Sequence, residues 1–267
     1  MRVLPILMLA TSLALVAEDH VAPSAKAKVP AHGPAPAPAP AAPAGQESAP
    51  SSDTPDSPSA ALAELSAGNG RFAAGKRIRT IDTGHDAAMR AALTKGQNPF
   101  AVILTCSDSR VPDALLFDQE AGRLFTIREA GNAADLQGLA SAEYAAEHLG
   151  SRLIVVMGHT SCGAVKAVRE ANGQPLPGNL WALQAGMAGL LESTPQDPNE
   201  DARAHTTRLE ETNARRQAQA ILDRSLLLRD LAVAEKLWVV PALYNLASGR
   251  VQFFKPIAVA PALQTHH

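Results

Sequence analysis

The sequence predicts an α/β domain with a mainly parallel sheet flanked by helices, and three observations carry that prediction. Two short, β-branched apolar runs, Phe100-Ala-Val-Ile-Leu-Thr105 and Leu153-Ile-Val-Val-Met-Gly158, have no alternating polar face, the pattern of strands covered on both sides. Helix-like stretches separate these runs, so that strand and helix alternate along the chain. The last two apolar runs, Trp238–Tyr244 and Arg250–Phe254, flank Asn245-Leu-Ala-Ser-Gly249, which predicts a hairpin at the end of the sheet.

In order, the pattern predicts helices over 59–75 and 84–95, a strand over 100–105, a strand over 123–128 and a helix over 138–149. A strand over 152–158, a helix over 162–171, helical stretches at 179–193 and 206–234 and the closing hairpin complete it. Ahead of this domain the composition changes. Residues 1–17 read as a secretory signal, with Arg2 before an apolar stretch from Val3 to Val16 and Ala17 before Glu18-Asp19. The stretch is short of the ~20 apolar residues of a spanning helix. The expectation is an exported, periplasmic protein with no membrane span once mature; an uncleaved tether is the competing reading. Residues 18–57 are expected to be a Pro/Ala-rich disordered linker: positions 21–60 hold ten of the twenty prolines and twelve alanines, with no Leu, Ile or aromatic residue. Such a stretch buries too little apolar surface to offset its ordering entropy. Residues 58–267 are expected to form one folded domain, which also carries the chain's chemistry.

A formal net charge of −2, an aromatic content of 4% and the absence of a Lys/Arg stripe exclude nucleic acid as the expected partner. The charges at Arg203–Arg216 alternate in sign, as on a solvated helix face. There is no internal repeat and no glycine-rich phosphate loop.

The chemistry concentrates in Cys106-Ser-Asp108-Ser-Arg110 and His159-Thr-Ser-Cys162, which contain the only two cysteines of the chain. Two thiolates and an imidazole are a common zinc set, and three protein ligands leave a fourth position open, as in catalytic sites. A disulfide is the alternative in an oxidising compartment. The flanks favour the metal. Each half-site follows a predicted parallel strand, where open α/β sheets bind ligands, and Cys162 precedes a predicted helix, whose dipole favours thiolate. Alternate residues of an extended segment face one side, so that Cys106, Asp108 and Arg110 can project together. The sequence leaves Asp108 three roles: hydrogen-bond acceptor beside the metal, fourth metal ligand, or turn residue. Arg110 is expected to pair with it in bidentate fashion, or otherwise to make a surface or interface ion pair.

These motifs resemble those of the β-class carbonic anhydrases. The resemblance extends over about residues 59–256, through Ala60–Phe72, Gln97–Val102, Ser109–Pro112, Leu124–Asn132, Ser141–Leu149, Lys236–Val240 and Ser248–Gln252. It implies a β-carbonic anhydrase-like fold, a zinc cofactor and the reversible hydration of carbon dioxide to bicarbonate and a proton. It also implies a homodimer or homotetramer built through amino-terminal helices. Hydration at neutral pH needs an acidified water, which zinc provides by lowering the pKa of bound water to about 7 in the well-known three-histidine carbonic anhydrases. Two thiolates neutralise the divalent ion and weaken that effect, so Asp108 and Arg110 are the expected compensation. Position by position, the resemblance places Gln97, Phe125, Tyr144 and Gly163 at the substrate, and Ile103 where a bicarbonate-regulated subgroup carries Trp. His148 is left as a proton relay or a structural histidine. Two readings compete with carbon dioxide hydration: hydrolysis of carbonyl sulfide or carbon disulfide on the same fold, and a non-catalytic zinc-binding or redox module.

Overall fold

The computed structural model describes residues 54–79 and 87–259, all within the unit Glu47–His267. The expected signal, residues 18–53 of the Pro/Ala tract, positions 84–86 of the second expected helix and the terminal His266-His267 lie outside the described residues.

Helix α1 (Pro58–Ala73) opens where Ser57 accepts a hydrogen bond from the Ala60 N–H and Pro58 occupies the first turn, a position that needs no donor. It buries Ala61, Leu65 and Gly68, spaced for one helical face. Gly68 has to be glycine: a Cβ there would stand 1.9 Å from the Phe117 carbonyl oxygen. After α2 (Ala87–Leu93) come β1 (Ala101–Thr105), the short α3 (Asp113–Leu116), β2 (Leu124–Arg128) and α4 (Leu136–His148). Then follow β3 (Leu153–His159), α5 (Gly163–Ala171), α6 (Trp181–Gly186), α7 (Leu190–Ser193), α8 (Ala202–Arg224), α9 (Leu226–Val233), β4 (Trp238–Tyr244) and β5 (Val251–Phe253).

The sheet order is β2-β1-β3-β4-β5, with the first four strands parallel and β5 antiparallel on β4. Every residue of β1 and β3 is buried, which is why both read as unbroken apolar runs. Their side chains alternate between two cores. Val102, Leu104, Ile154 and Val156 pack with α4, α8 and α9, whereas Ala101, Ile103, Leu153 and Val155 pack with α1 and the Phe100–Phe117 side. The result is a three-layer α/β sandwich.

Two predicted helical stretches are broken. Gly189, in the left-handed region at φ 73°, separates α6 from α7. Ser225 leaves helical geometry between α8 and α9, and its hydroxyl accepts from the Leu228 N–H to start α9. The solvated-face reading of Arg203–Arg216 holds for its four arginines, which are exposed, and fails for Glu210, which lies with His205, Thr206, Leu209, Asn213 and Ala214 on a buried face of α8. Among the described residues no helix is long and apolar enough to cross a membrane.

Candidate active site

Connections leave β1 toward β2 on one side and return to β3 on the other, so that the strand order reverses between β1 and β3. A crevice opens at the carboxyl ends of strands at such a point. Cys106 follows the last residue of β1, and His159 is the last residue of the adjacent β3. The chain then turns through Ser161, at φ 60° in the left-handed region, and Cys162 becomes the N-cap residue of α5.

Cys106, His159 and Cys162 form a buried group whose ligand atoms all lie within 4.8 Å of one another. Both cysteines are free thiols in this structure. His159 Nδ1 lies 3.0 Å from the Thr160 carbonyl, to which it donates, and this directs the lone pair of the imidazole to Nε2. Nε2 is buried and has no hydrogen-bond partner. A buried polar atom without a partner is costly unless something else occupies it. Two sulfurs, one orphaned imidazole nitrogen and enforced proximity fit a zinc ion and leave a fourth side open.

The two sulfurs push each other's pKa values apart. Cys106 is pulled well below the ordinary thiol pKa by the Cys162 S–H, against burial, and further by His159 and the Gly131 N–H, 3.3 Å from its sulfur. Cys162 moves up because the Cys106 charge and burial both oppose a second thiolate. Burial lowers the His159 pKa, but the Cys106 thiolate outweighs it and the net direction is upward. A cation bound between the sulfurs would favour both thiolates and displace the remaining proton.

Asp108 stands beside this group and outside it. Arg110 grips it with Nε to Oδ1 at 2.8 Å and a terminal nitrogen to Oδ2 at 2.6 Å, while the Arg110 backbone N–H donates to Oδ1 at 2.9 Å. The same guanidinium donates to the Ser161 carbonyl at 3.1 Å, which ties the Cys106 loop to the Cys162 turn. Asp108 Oδ2 lies 3.7 Å from His159 Nε2. Arg110 holds the Asp108 carboxyl well below the usual carboxylate range, against partial burial. Gly163 opens α5 next to Cys162, with free space where a side chain would project.

The remaining expected residues are elsewhere in the chain. Gln97 is exposed and precedes β1, so that five strand residues at about 3.3 Å each separate its end of the sheet from Cys106. Phe125 pairs in register with Val102 on the edge strand β2. Its ring lies 6.3 Å from that of Tyr144 on α4, which lies 5.2 Å from the exposed His148. Tyr144 is 49% exposed and Leu136, also on α4, 70%. Phe125, Tyr144 and His148 form one aromatic group at the surface.

The sequence model of the family described as carbonic anhydrase matches residues 101–251. The carbonic anhydrase of Mycolicibacterium smegmatis is 35% identical over 209 residues, covering 73% of this chain and 92% of the relative. The chain belongs to the β-class carbonic anhydrases. They are enzymes of the lyase class. The solved β-carbonic anhydrase CafA of Aspergillus fumigatus is 28% identical, with a TM-score of 0.57 over 73% of this chain and 89% of that one. One of two tetrameric β-carbonic anhydrases of Sordaria macrospora shares the fold at a TM-score of 0.60 and 22% identity, over 72% of this chain and 96% of that one.

Four residues of the site are not singled out by the sequence. Arg128, at the end of β2, donates to the Cys106 and Asp108 carbonyls at 3.2 and 2.7 Å. Gly131 is the N–H donor to Cys106, and Asn213 donates to the Gly131 carbonyl at 2.8 Å. Glu210 accepts the Cys162 N–H at 2.7 Å; burial pushes its pKa up to about 7, opposed by that N–H and by His159. The run from Leu124 to Asn132 contains Arg128 and Gly131, but nothing in the residue types alone separates Glu210 and Asn213 from their charged neighbours.

Proposed function

We propose that this chain is a zinc-dependent carbonic anhydrase that reversibly hydrates carbon dioxide to bicarbonate and a proton, with zinc held by Cys106, His159 and Cys162. The observation that carries the proposal is the orphaned Nε2 of His159 buried against two thiols, beside a carboxylate that Arg110 holds in a bidentate grip. Bound there, zinc supplies Lewis acidity that lets water ionise near neutral pH. Asp108 keeps a hydrogen-bond acceptor at the open side of the group. The Arg110 grip keeps that carboxylate ionised through the neutral range and restrains it from becoming a fourth ligand. Gly163, at the start of the nine-residue α5, offers a first-turn amide to an oxyanion. Burial of the ligand residues keeps bulk water away from the thiolates.

Gln97, Phe125 and Tyr144 enter the reading through a second copy of the chain. Gln97 is exposed at the opposite end of β1 from Cys106, and the partly exposed Phe125–Tyr144 pair is the kind of surface a homodimer, or a homotetramer of such dimers, covers. The signal-like residues 1–17 support export to the periplasm, with residues 58–267 as the working enzyme.

A stopped-flow pH-indicator assay of carbon dioxide hydration, run on protein of measured zinc content, tests the proposal. The expected result is turnover proportional to zinc and abolished by chelation. Zinc-loaded, reduced protein that turns over carbonyl sulfide or carbon disulfide but not carbon dioxide, or no substrate at all, overturns it.

A further inference from the structure

Both sulfur ligands of the proposed zinc site are held through hydrogen bonds that begin on one helix. On α8, Glu210, Asn213 and Gln217 recur at helical spacing on one face and are 1%, 1% and 6% exposed. Each reaches the backbone of a ligand-bearing or ligand-orienting loop. Glu210 Oε1 accepts the Cys162 N–H at 2.7 Å. Asn213 Nδ2 donates to the Gly131 carbonyl at 2.8 Å and lies 3.4 Å from Asn132 Oδ1, while the Gly131 N–H donates to Cys106 Sγ at 3.3 Å. Gln217 Oε1 accepts the Ala134 N–H at 2.9 Å on that same loop, and its Nε2 donates to Asn213 Oδ1 at 3.2 Å.

Packing alone does not account for this stripe. The neighbouring buried positions of α8, Leu209, Ala214, Ala218 and Ile221, are apolar. A buried carboxyl whose second oxygen lacks a hydrogen-bond partner, as Glu210 Oε2 does, is destabilising by itself. The loops it serves need restraint. Ser161 at φ 60° and Asn132 at φ 48° are non-glycine residues in the left-handed region, and such geometry persists where surrounding contacts over-determine it.

We infer that Glu210 and Asn213 are positioning residues that orient the two thiolates toward the metal, Glu210 acting on Cys162 directly and Asn213 acting on Cys106 through Gly131. The inference rests on the zinc reading above. Ligand-orienting partners of this kind alter metal affinity by roughly 10–100-fold when removed.

The test replaces zinc by cobalt(II) in the purified full chain, whose thiolate-to-cobalt charge-transfer and d–d bands report the geometry of the sulfur ligands, and measures zinc affinity by chelator competition. Glu210→Ala and Asn213→Ala are each expected to weaken zinc binding about 10–100-fold and to shift the cobalt bands. Glu210→Gln, which keeps an oxygen acceptor for the Cys162 N–H, is expected to stay close to the parent. Ile221→Val, a packing change on the same helix, is expected to lower thermal stability and leave the bands in place. If Glu210→Ala does not fold, Glu210→Asp withdraws the acceptor by one methylene and stands in for it, while Asn213→Ala reports on Cys106 independently. Parental affinity and parental bands in Glu210→Ala (or Glu210→Asp) and Asn213→Ala, whatever their stability, overturn the inference. Failure of the parent itself to bind one metal per chain overturns the zinc reading first, and is seen before any variant is made.

Discussion

The two sets of residues that the sequence assigns to catalysis end up in different surroundings. Cys106, Asp108 and Arg110 lie within five positions beyond β1, and His159 and Cys162 within four positions at the end of β3, its hydrogen-bonded neighbour. Once the sheet forms, these residues meet, and one chain suffices. Gln97, Phe125 and Tyr144 sit before β1, inside the edge strand β2 and on α4, where Phe125 and Tyr144 meet each other. Closely spaced residues at adjacent strand ends thus build a site with the fold of the chain itself. Residues placed only by position in a family resemblance are not brought together this way, and under the proposed function a second copy of the chain supplies what spacing does not encode.

The largest expected effect falls on the first set. Cys162→Ser removes a thiolate ligand, so metal analysis is expected to find zinc well below one per chain and hydration near the uncatalysed background. Phe125→Ala, by contrast, is expected to keep its zinc. Equal loss of zinc in both variants would erase the distinction between the sets. A step smaller is Arg110→Ala. Freed from its grip, Asp108 is expected to move onto the metal group, so that zinc content holds while turnover falls about 100-fold, the scale of a misplaced catalytic group. A crystal structure of the variant checks the position of Asp108, and full activity with Asp108 unmoved would return Arg110 to the status of an ordinary ion-pair partner.

How much of this was legible follows from what each residue faces. β1, β3 and β4 were readable almost to the residue because strands covered on both sides carry no polar interruptions. The helical stretch 179–193 hid its break, since Gly189 reads equally well as a tolerated helix glycine until its left-handed φ is known. Glu210 and Asn213 were hidden for another reason. Buried polar residues that satisfy a distant loop have the same composition as a solvated face, and the partner groups, the Cys162 N–H and the Gly131 carbonyl, are backbone atoms without a sequence signature.

Subunit mixing turns the comparison into a measurement. A chain carrying Cys162→Ser lacks a metal set, and one carrying Gln97→Ala with Tyr144→Ala lacks a pocket set. If each active site joins the metal set of one copy to the pocket set of another, unfolding and refolding the two inactive chains together restores intact sites in the mixed dimers. Random pairing in a two-fold dimer leaves roughly a quarter of sites whole. No regained hydration in a mixture shown by mass spectrometry to contain mixed dimers would place both sets within a single chain, and an active Gln97→Ala/Tyr144→Ala chain on its own would place the pocket set outside catalysis.

The smallest expected effect lies at the front of the chain and bears on both sets at once. α1 starts with its own cap, Ser57 accepting from Ala60, and its buried face docks through Ala61, Leu65 and Gly68. The cap and the docked face are made by described residues from Ser57 onward, and the composition of residues 18–53 cannot support a core. Thr54 does make contacts, to Asn98 and Arg123 at 3.4 and 2.9 Å, and Arg123 follows Gly122 at the Gln97 end of the sheet. Deleting 18–53 is therefore expected to leave zinc content, subunit mixing and turnover unchanged, whereas extending the deletion through residue 57 removes the α1 cap at a cost of about 1 kcal/mol. Parallel thermal melts and hydration assays on the two truncations check this. A loss of turnover in the shorter deletion would make the Pro/Ala tract part of the enzyme, and loss of zinc with it would tie that tract to the first set rather than the second.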